Sequence, residues 1–231
     1  GMIEDCDWMI QVTIQPASEA VGGIVAWNRG TLRRVTARAW MNAMSGTGVG
    51  GVAGVNVGEV RQARLEFVPF EVQRGEMRTT PSRVVGLSSV GGIVGRNLGT
   101  IAQASVWASV QGEQDAGGVA GLNAKQDAHI EDVDFNGAVT GGSPLGGIVG
   151  RNAAGSVLSR CRSDAMVESV RTLTANEDLV VGGVAGINDS ATIEGCRSQG
   201  VVSARGRGVA GGIVGRNEHP GGAYAAAGGR V

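Results

Sequence analysis

Little in this chain suits an ordinary globular core. Aromatic residues are only 3% of its 231 residues, with a single Tyr and three Phe. A compact interior of that size normally leans on such rings, so Val, Ile, Leu and Ala must fill it in thinner layers. Lysine is nearly missing: Lys125 is the only one among 20 cationic residues, and the net charge is −1. That balance gives no electrostatic footprint for nucleic acid or an anionic membrane surface. No run of 18 apolar residues exists, so no helical membrane insertion is expected, and no signal peptide is visible. Cysteine is scarce, and Cys6, Cys161 and Cys196 show no metal-ligand spacing. No metal and no cofactor are therefore expected.

Glycine is what the chain has in quantity, with 41 residues. It is concentrated in one phrase: Gly-Gly, two apolar residues, Gly or Ala, a variable residue, Asn. Copies begin at Gly22, Gly50, Gly91, Gly117, Gly146, Gly182 and Gly211, so successive starts lie 28, 41, 26, 29, 36 and 29 residues apart. A phrase at that period marks a repeat architecture. Each unit continues with an alternating stretch such as Ile193-Glu-Gly-Cys196 and a short β-prone piece such as Gly200-Val-Val-Ser203. Apolar residues alternate with period two, and frequent glycine opposes helix. The expected fold is all-β: a right-handed parallel β-helix, or β-solenoid, of about seven coils over residues 1–217. Each coil would bury its apolar face against its neighbours. Residues 218–231, rich in Gly and Ala, are expected to be a flexible tail.

The Asn of the phrase is present in every copy: Asn28, Asn56, Asn97, Asn123, Asn152, Asn188 and Asn217. Asn tolerates left-handed turns, and stacked amides can hydrogen-bond from coil to coil as a ladder. The residue before Asn alternates. Trp27, Arg96, Arg151 and Arg216 precede it in one copy type, Val55, Leu122 and Ile187 in the other. This gives a two-coil superperiod, with the arginines recurring about every 9.6 Å along one edge at a strand spacing of about 4.8 Å. Spacing by apolar residues relieves like-charge repulsion; a sparse cationic row facing an acidic glycan is the functional alternative.

Cys6 and Cys196 share a repeat slot with Val35, Ala63, Ala104 and Val133, which reads as a small buried apolar site rather than a disulfide or reactive thiol. Cys161 falls one residue out of that register. Ile3-Glu-Asp-Cys-Asp-Trp8 matches Ile130-Glu-Asp-Val-Asp-Phe135, so the array is expected to continue upstream, with uncapped ends prone to end-to-end self-association. Two units are overlong, at 66–89 and 168–178. Such insertions are expected as loops on the flank, and the first carries Arg74, Arg78 and Arg83 as candidate binding residues.

The unit Gly-Gly-Ile-Val-Gly-x-Asn, then Ile-x-x-Cys, then a Gly-x-Val strand, resembles the GLUG repeat across about residues 3 to 217. That resemblance implies a large bacterial surface or secreted protein, adhesin-like or a non-catalytic region of an immunoglobulin A peptidase. It implies an extracellular or cell-surface location and a glycan or host-surface protein as partner. It names a structural unit and no catalytic residue.

Catalytic motifs are missing: there is no His-Glu-x-x-His, no Gly-x-Ser-x-Gly and no phosphate-binding loop. The best acid–base candidates are Asp132 and Asp134, with Glu131, placed on one strand face beside an Arg as in a polysaccharide lyase or hydrolase. Asp5 and Asp7 repeat the pattern, which favours a solvated acidic face. The expectation is a non-catalytic surface module, adhesin-like and binding acidic glycans or a host surface. The rivals are the polysaccharide-degrading enzyme and a structural spacer.

Overall fold

The computed structural model describes residues 1–14, 18–72, 76–170 and 179–218. The chain is all-β, with no helix among these residues. Three parallel sheets make up the body. One has seven short strands, from Met2–Glu4 to Thr192–Glu194. A second has seven strands that carry the repeated asparagines, from Val25–Asn28 to Val214–Glu218. The third, the long sheet, has strands of up to 15 residues, as in Thr36–Gly50. The chain visits the three in turn and returns to each one repeat later, in register: Ile101 stands opposite Ile130, Asn97 opposite Asn123, Val110 opposite Val139. Consecutive coils thus stack by backbone hydrogen bonds, as expected of a β-solenoid.

The corners explain the repeated residues. At the Gly-Gly corner, a methyl on Gly117 would overlap the Ala120 carbonyl oxygen. One on Gly118 would overlap both the Gly147 carbonyl oxygen and the Phe135 ring. Backbone therefore passes backbone too closely for any side chain. At the corner between the short-strand sheet and the long sheet, one residue per coil is left-handed: Asp5, Arg34, Gln62, Gln103, Asp132, Arg160 and Gly195, with φ from 49° to 60°. Only one of these is glycine, so this corner left no sequence signature.

The interior is built of columns. Leu32, Val60, Ile101, Ile130 and Leu158 are fully buried and follow one another along the short-strand sheet. Burying each such side chain contributes roughly 1.5–3 kcal/mol. Phe135 is the largest fully buried side chain among the described residues. It lies against Gly118, where coils on either side place Val106 and Ser163 against Gly92 and Gly147. The absence of side chains on one wall makes room for the other.

Three expectations need correction. Cys161 is not out of register. Leu158 stands opposite Ile193, the Cys161 N–H reaches the Cys196 sulfur at 3.4 Å, and the extra residue of that unit is absorbed in the turn at Ala154 and Gly155. The first insertion is shorter than 66–89. An antiparallel hairpin, Val68–Val72 with Glu76–Thr80, leaves the coil, and Ser82–Gly91 is already a long-sheet strand between neighbours on both sides, with a register shift between Gly86 and Ser88 against Thr36–Gly50. In the second, Glu168 and Ser169 end a long-sheet strand, and 171–178 lie outside the described residues. At the C-terminal end, Glu218 still pairs with Asp189; residues 219–231 lie outside the described residues.

Candidate functional site

The asparagine row is a continuous hydrogen-bonded ladder. Each Nδ2 donates to the next Oδ1: Asn28 to Asn56, Asn56 to Asn97 and Asn97 to Asn123 at 2.8 Å, Asn123 to Asn152 and Asn152 to Asn188 at 2.9 Å, Asn188 to Asn217 at 2.8 Å. Second amide protons go to backbone carbonyls, such as Thr100 from Asn56 and Gly99 from Asn97. From Asn28 to Asn188 the row is buried. Its polar capacity is used internally, so it locks the coils together and offers nothing to a ligand.

The edge arginines do form one row. Trp27, Val55, Arg96, Leu122, Arg151, Ile187 and Arg216 stand opposite one another in sequence along the asparagine sheet. The row is neither bare nor extended. Arg151 pairs with Asp115 at 3.0 Å and Arg216 with Glu218 at 3.5 Å. Burial pushes the Asp115 carboxyl above its ordinary range, and Arg151 pulls it back. Arg96 is half-buried, and its Nε has no hydrogen-bond partner.

The other candidates separate. Arg74 lies outside the described residues. Arg78 stands opposite Phe70 in the hairpin. Arg83 is not in the hairpin but on the long sheet, between Trp40 and Ser109, and donates to Gln111 at 3.3 Å. Elsewhere arginines are bridged to carboxylates of adjacent coils: Arg34 to Glu4 and Asp5, Arg38 to Asp7 and Glu66, Arg160 to Glu131 and Asp132. These exposed pairs are worth little individually. Their effect is to neutralise the surface.

Asp132 and Asp134 do not share a strand face. Asp132 is the left-handed corner residue, and Asp134 begins the long-sheet strand after it. Both Asp132 oxygens accept from Arg160, at 2.7 and 3.0 Å. Hydrogen bonding to that guanidinium holds the carboxyl below its usual range, the opposite of the raised value a general acid needs. Asp5 repeats the arrangement with Arg34. Among the described residues no cluster of three or more His, Cys, Asp or Glu side chains could hold a metal ion.

The arrangement that the sequence did not announce is on the outer face of the long sheet. The hairpin leaves this face between Glu66 and Ser82. The Ser82 hydroxyl closes the gap by donating to the Glu66 carbonyl at 2.5 Å and accepting the Ala39 N–H at 3.0 Å. On one side of the hairpin, Gln11, Thr13, Trp40, Asn42 and Arg83 line a recess of about 190 Å³. On the other, Trp107, Asp134, Asn136, Arg162 and Asp164 line one of about 260 Å³. Phe67, at the hairpin base, lies 6.4 Å from Trp107 between ring centroids. The signal was present in the alternation: Trp40 stands between buried Ala39 and Met41, and Trp107 between buried Val106 and Ala108. Both rings therefore had to point outward.

The stacked thiols are a second feature. Hydrogen bonding to Cys196, and then burial, raise the Cys161 thiol, while the hydrogen bond with Cys161 lowers Cys196 to about 7. The thiolate is the reactive form, so Cys196 is expected to alkylate with iodoacetamide first, its rate rising as pH passes through about 7. Peptide mapping after brief labelling checks this; equal labelling of Cys161 would contradict it.

No family model matches the chain, and no curated protein or solved structure matches it either.

Proposed function

We propose that this chain is a non-catalytic, glycan-binding repeat module of a bacterial cell-surface or secreted protein, adhesin-like in role. In this reading it is a right-handed β-helix of about seven coils with a two-coil superperiod, and its repeats are of the GLUG type. The observation that carries the binding role is the outer face of the long sheet. Two tryptophans and a phenylalanine stand there among amide and ionic side chains, on strands whose spacing is fixed by the stack. Aromatic platforms with a few oriented polar groups are the chemistry of sugar sites. The repeat resemblance supplies the surface location.

A screen of the purified, folded chain against an array of neutral, sialylated, sulfated and uronate-rich glycans tests this. The expected result is a discrete set of hits. A hit on acidic glycans that weakens with salt would place binding on the Arg83 or Arg96–Arg151–Arg216 surfaces. A blank array overturns the binding role. The second reading, a stiff spacer carrying another domain, is favoured by the unbroken amide ladder from Asn28 to Asn217.

A further inference from the structure

We propose, resting on that glycan-binding reading, that the strip centred on Trp107, Asn136 and Asp164 is a subsite for a neutral, polyhydroxylated sugar chain. Glu66, Trp107, Asn136, Asp164 and Gln199 form one outward row across the long sheet, because Leu65 stands opposite Val106, Trp107 opposite Asn136, Asn136 opposite Asp164, and Asp164 opposite Gln199. Strand spacing sets these side chains about 4.8 Å apart. The recess at Trp107, Asn136 and Asp164 adjoins a second of about 260 Å³ lined by Glu66, Phe67 and Trp107. Trp107 is shared by both, so the occupant is a chain of at least two units rather than a single sugar.

Three observations fix the chemistry. The first is the platform: Phe67, 6.4 Å from Trp107 between centroids and tilted 36° to it, lines the same strip, so a flat apolar sugar face settles against aromatic surface. The second is an unused acceptor. Arg162 holds Asp164 Oδ2 at 2.8 Å, while Asp164 Oδ1 is buried with no hydrogen-bond partner. A buried carboxylate oxygen without a donor is costly, and a sugar hydroxyl supplies one. Local rearrangement of Asp164 accompanies that bond. The third is charge. Glu66 is bridged by Arg38 at 2.8 Å and Asp164 by Arg162, while Asp134 stands opposite Arg162. An anionic sugar would meet the carboxylates of Glu66, Asp134 and Asp164, beside which Arg38 and Arg162 are already engaged, whereas a neutral polyol donates to carboxylates and accepts from Asn136 and Arg162.

The test measures binding of soluble neutral oligosaccharides, cello-, xylo- and manno-series, to the full chain by calorimetry and tryptophan fluorescence. Trp107→Ala is expected to weaken binding at least tenfold, and Asp164→Asn severalfold. Met2→Ala, exposed on the short-strand sheet, is expected to leave it unchanged. All three variants should keep the parent's β circular-dichroism spectrum, so that a loss of binding is read on a folded chain. Raising salt from 50 to 500 mM should not matter, because no net charge is recognised. Neutral-sugar binding that survives Trp107→Ala within twofold overturns the subsite and leaves the glycan reading intact. Binding of acidic glycans alone also overturns it. Absence of any glycan binding overturns both.

Discussion

Gly118→Ala is expected to destabilise the chain by roughly 3 kcal/mol or more, since overpacking a filled interior costs about 1–3 kcal/mol even where side chains can yield. Here part of what must yield is backbone. The new methyl would overlap the Gly147 carbonyl oxygen of the next coil, which carries the corner of the next repeat, and also the Phe135 ring. Phe135 is fully buried and has no alternative place to go. The strands can relieve the overlap only by separating, which stretches the hydrogen bond from the Gly118 N–H to Gly146 and its neighbours. A loss of that size lowers the melting temperature by roughly 6–12 °C in a chain of this length. Gly212→Ala is the matched control. It repeats the same slot, yet among the described residues a methyl there meets nothing within 4 Å. It should be neutral or slightly stabilising, because alanine restricts the unfolded chain. Thermal melts followed by circular dichroism decide the matter, and equal melting temperatures for the two variants would show that close coil packing is not what fixes the glycines.

The second large effect is expected at the ladder. Asn97→Ala removes an amide bonded on both sides. It strands the donor of Asn56 and the acceptor of Asn123, with the carbonyls of Gly99 and His129 losing a donor. Leaving a buried polar group unsatisfied costs about 1–3 kcal/mol each, so a loss of roughly 2–5 kcal/mol is expected. Asn217→Ala should cost about 1 kcal/mol or less. Asn217 is exposed, and its only side-chain partner among the described residues, Asn188, keeps its bond to the Ala191 carbonyl. The double variant Asn97→Ala with Asn123→Ala should cost less than the sum of the singles, because the pair shares the orphaned contact. Additive costs would mean that the amides act independently rather than as a ladder. Urea unfolding of the four variants, the Asn97 and Asn123 singles, their double and Asn217→Ala, gives the comparison.

Much of the fold was legible because its two strictest requirements are local. Close backbone approach at one corner admits only glycine, and the amide ladder admits only an Asn of fixed length. Both leave invariant residues at every repeat. The alternation of apolar residues then set which side chains face inward. Other features were illegible for equally physical reasons. The left-handed corner accepts Asp, Arg, Gln or Gly, so it hid Asp132 in a turn where a strand was expected. The hairpin's end at Thr80 could not be read, because a strand that returns to the coil looks like any other strand.

The candidate site shows the same division. The alternation alone turns Trp40 and Trp107 outward. It does not say that Trp107, Asn136 and Asp164, 29 and 28 residues apart, lie side by side, or that a hairpin places Phe67 against the indole. Nor does it say that Arg160 and Arg162 are occupied by neighbouring carboxylates. By itself the sequence determined that the chain stacks as a parallel β structure, that it turns at the Gly-Gly corner, and which strand residues face inward, because each of these depends on the chemistry of one unit. Only the tertiary structure decided which outward side chains become neighbours and which charges cancel. Those depend on the register between coils, which backbone hydrogen bonding across the whole stack sets.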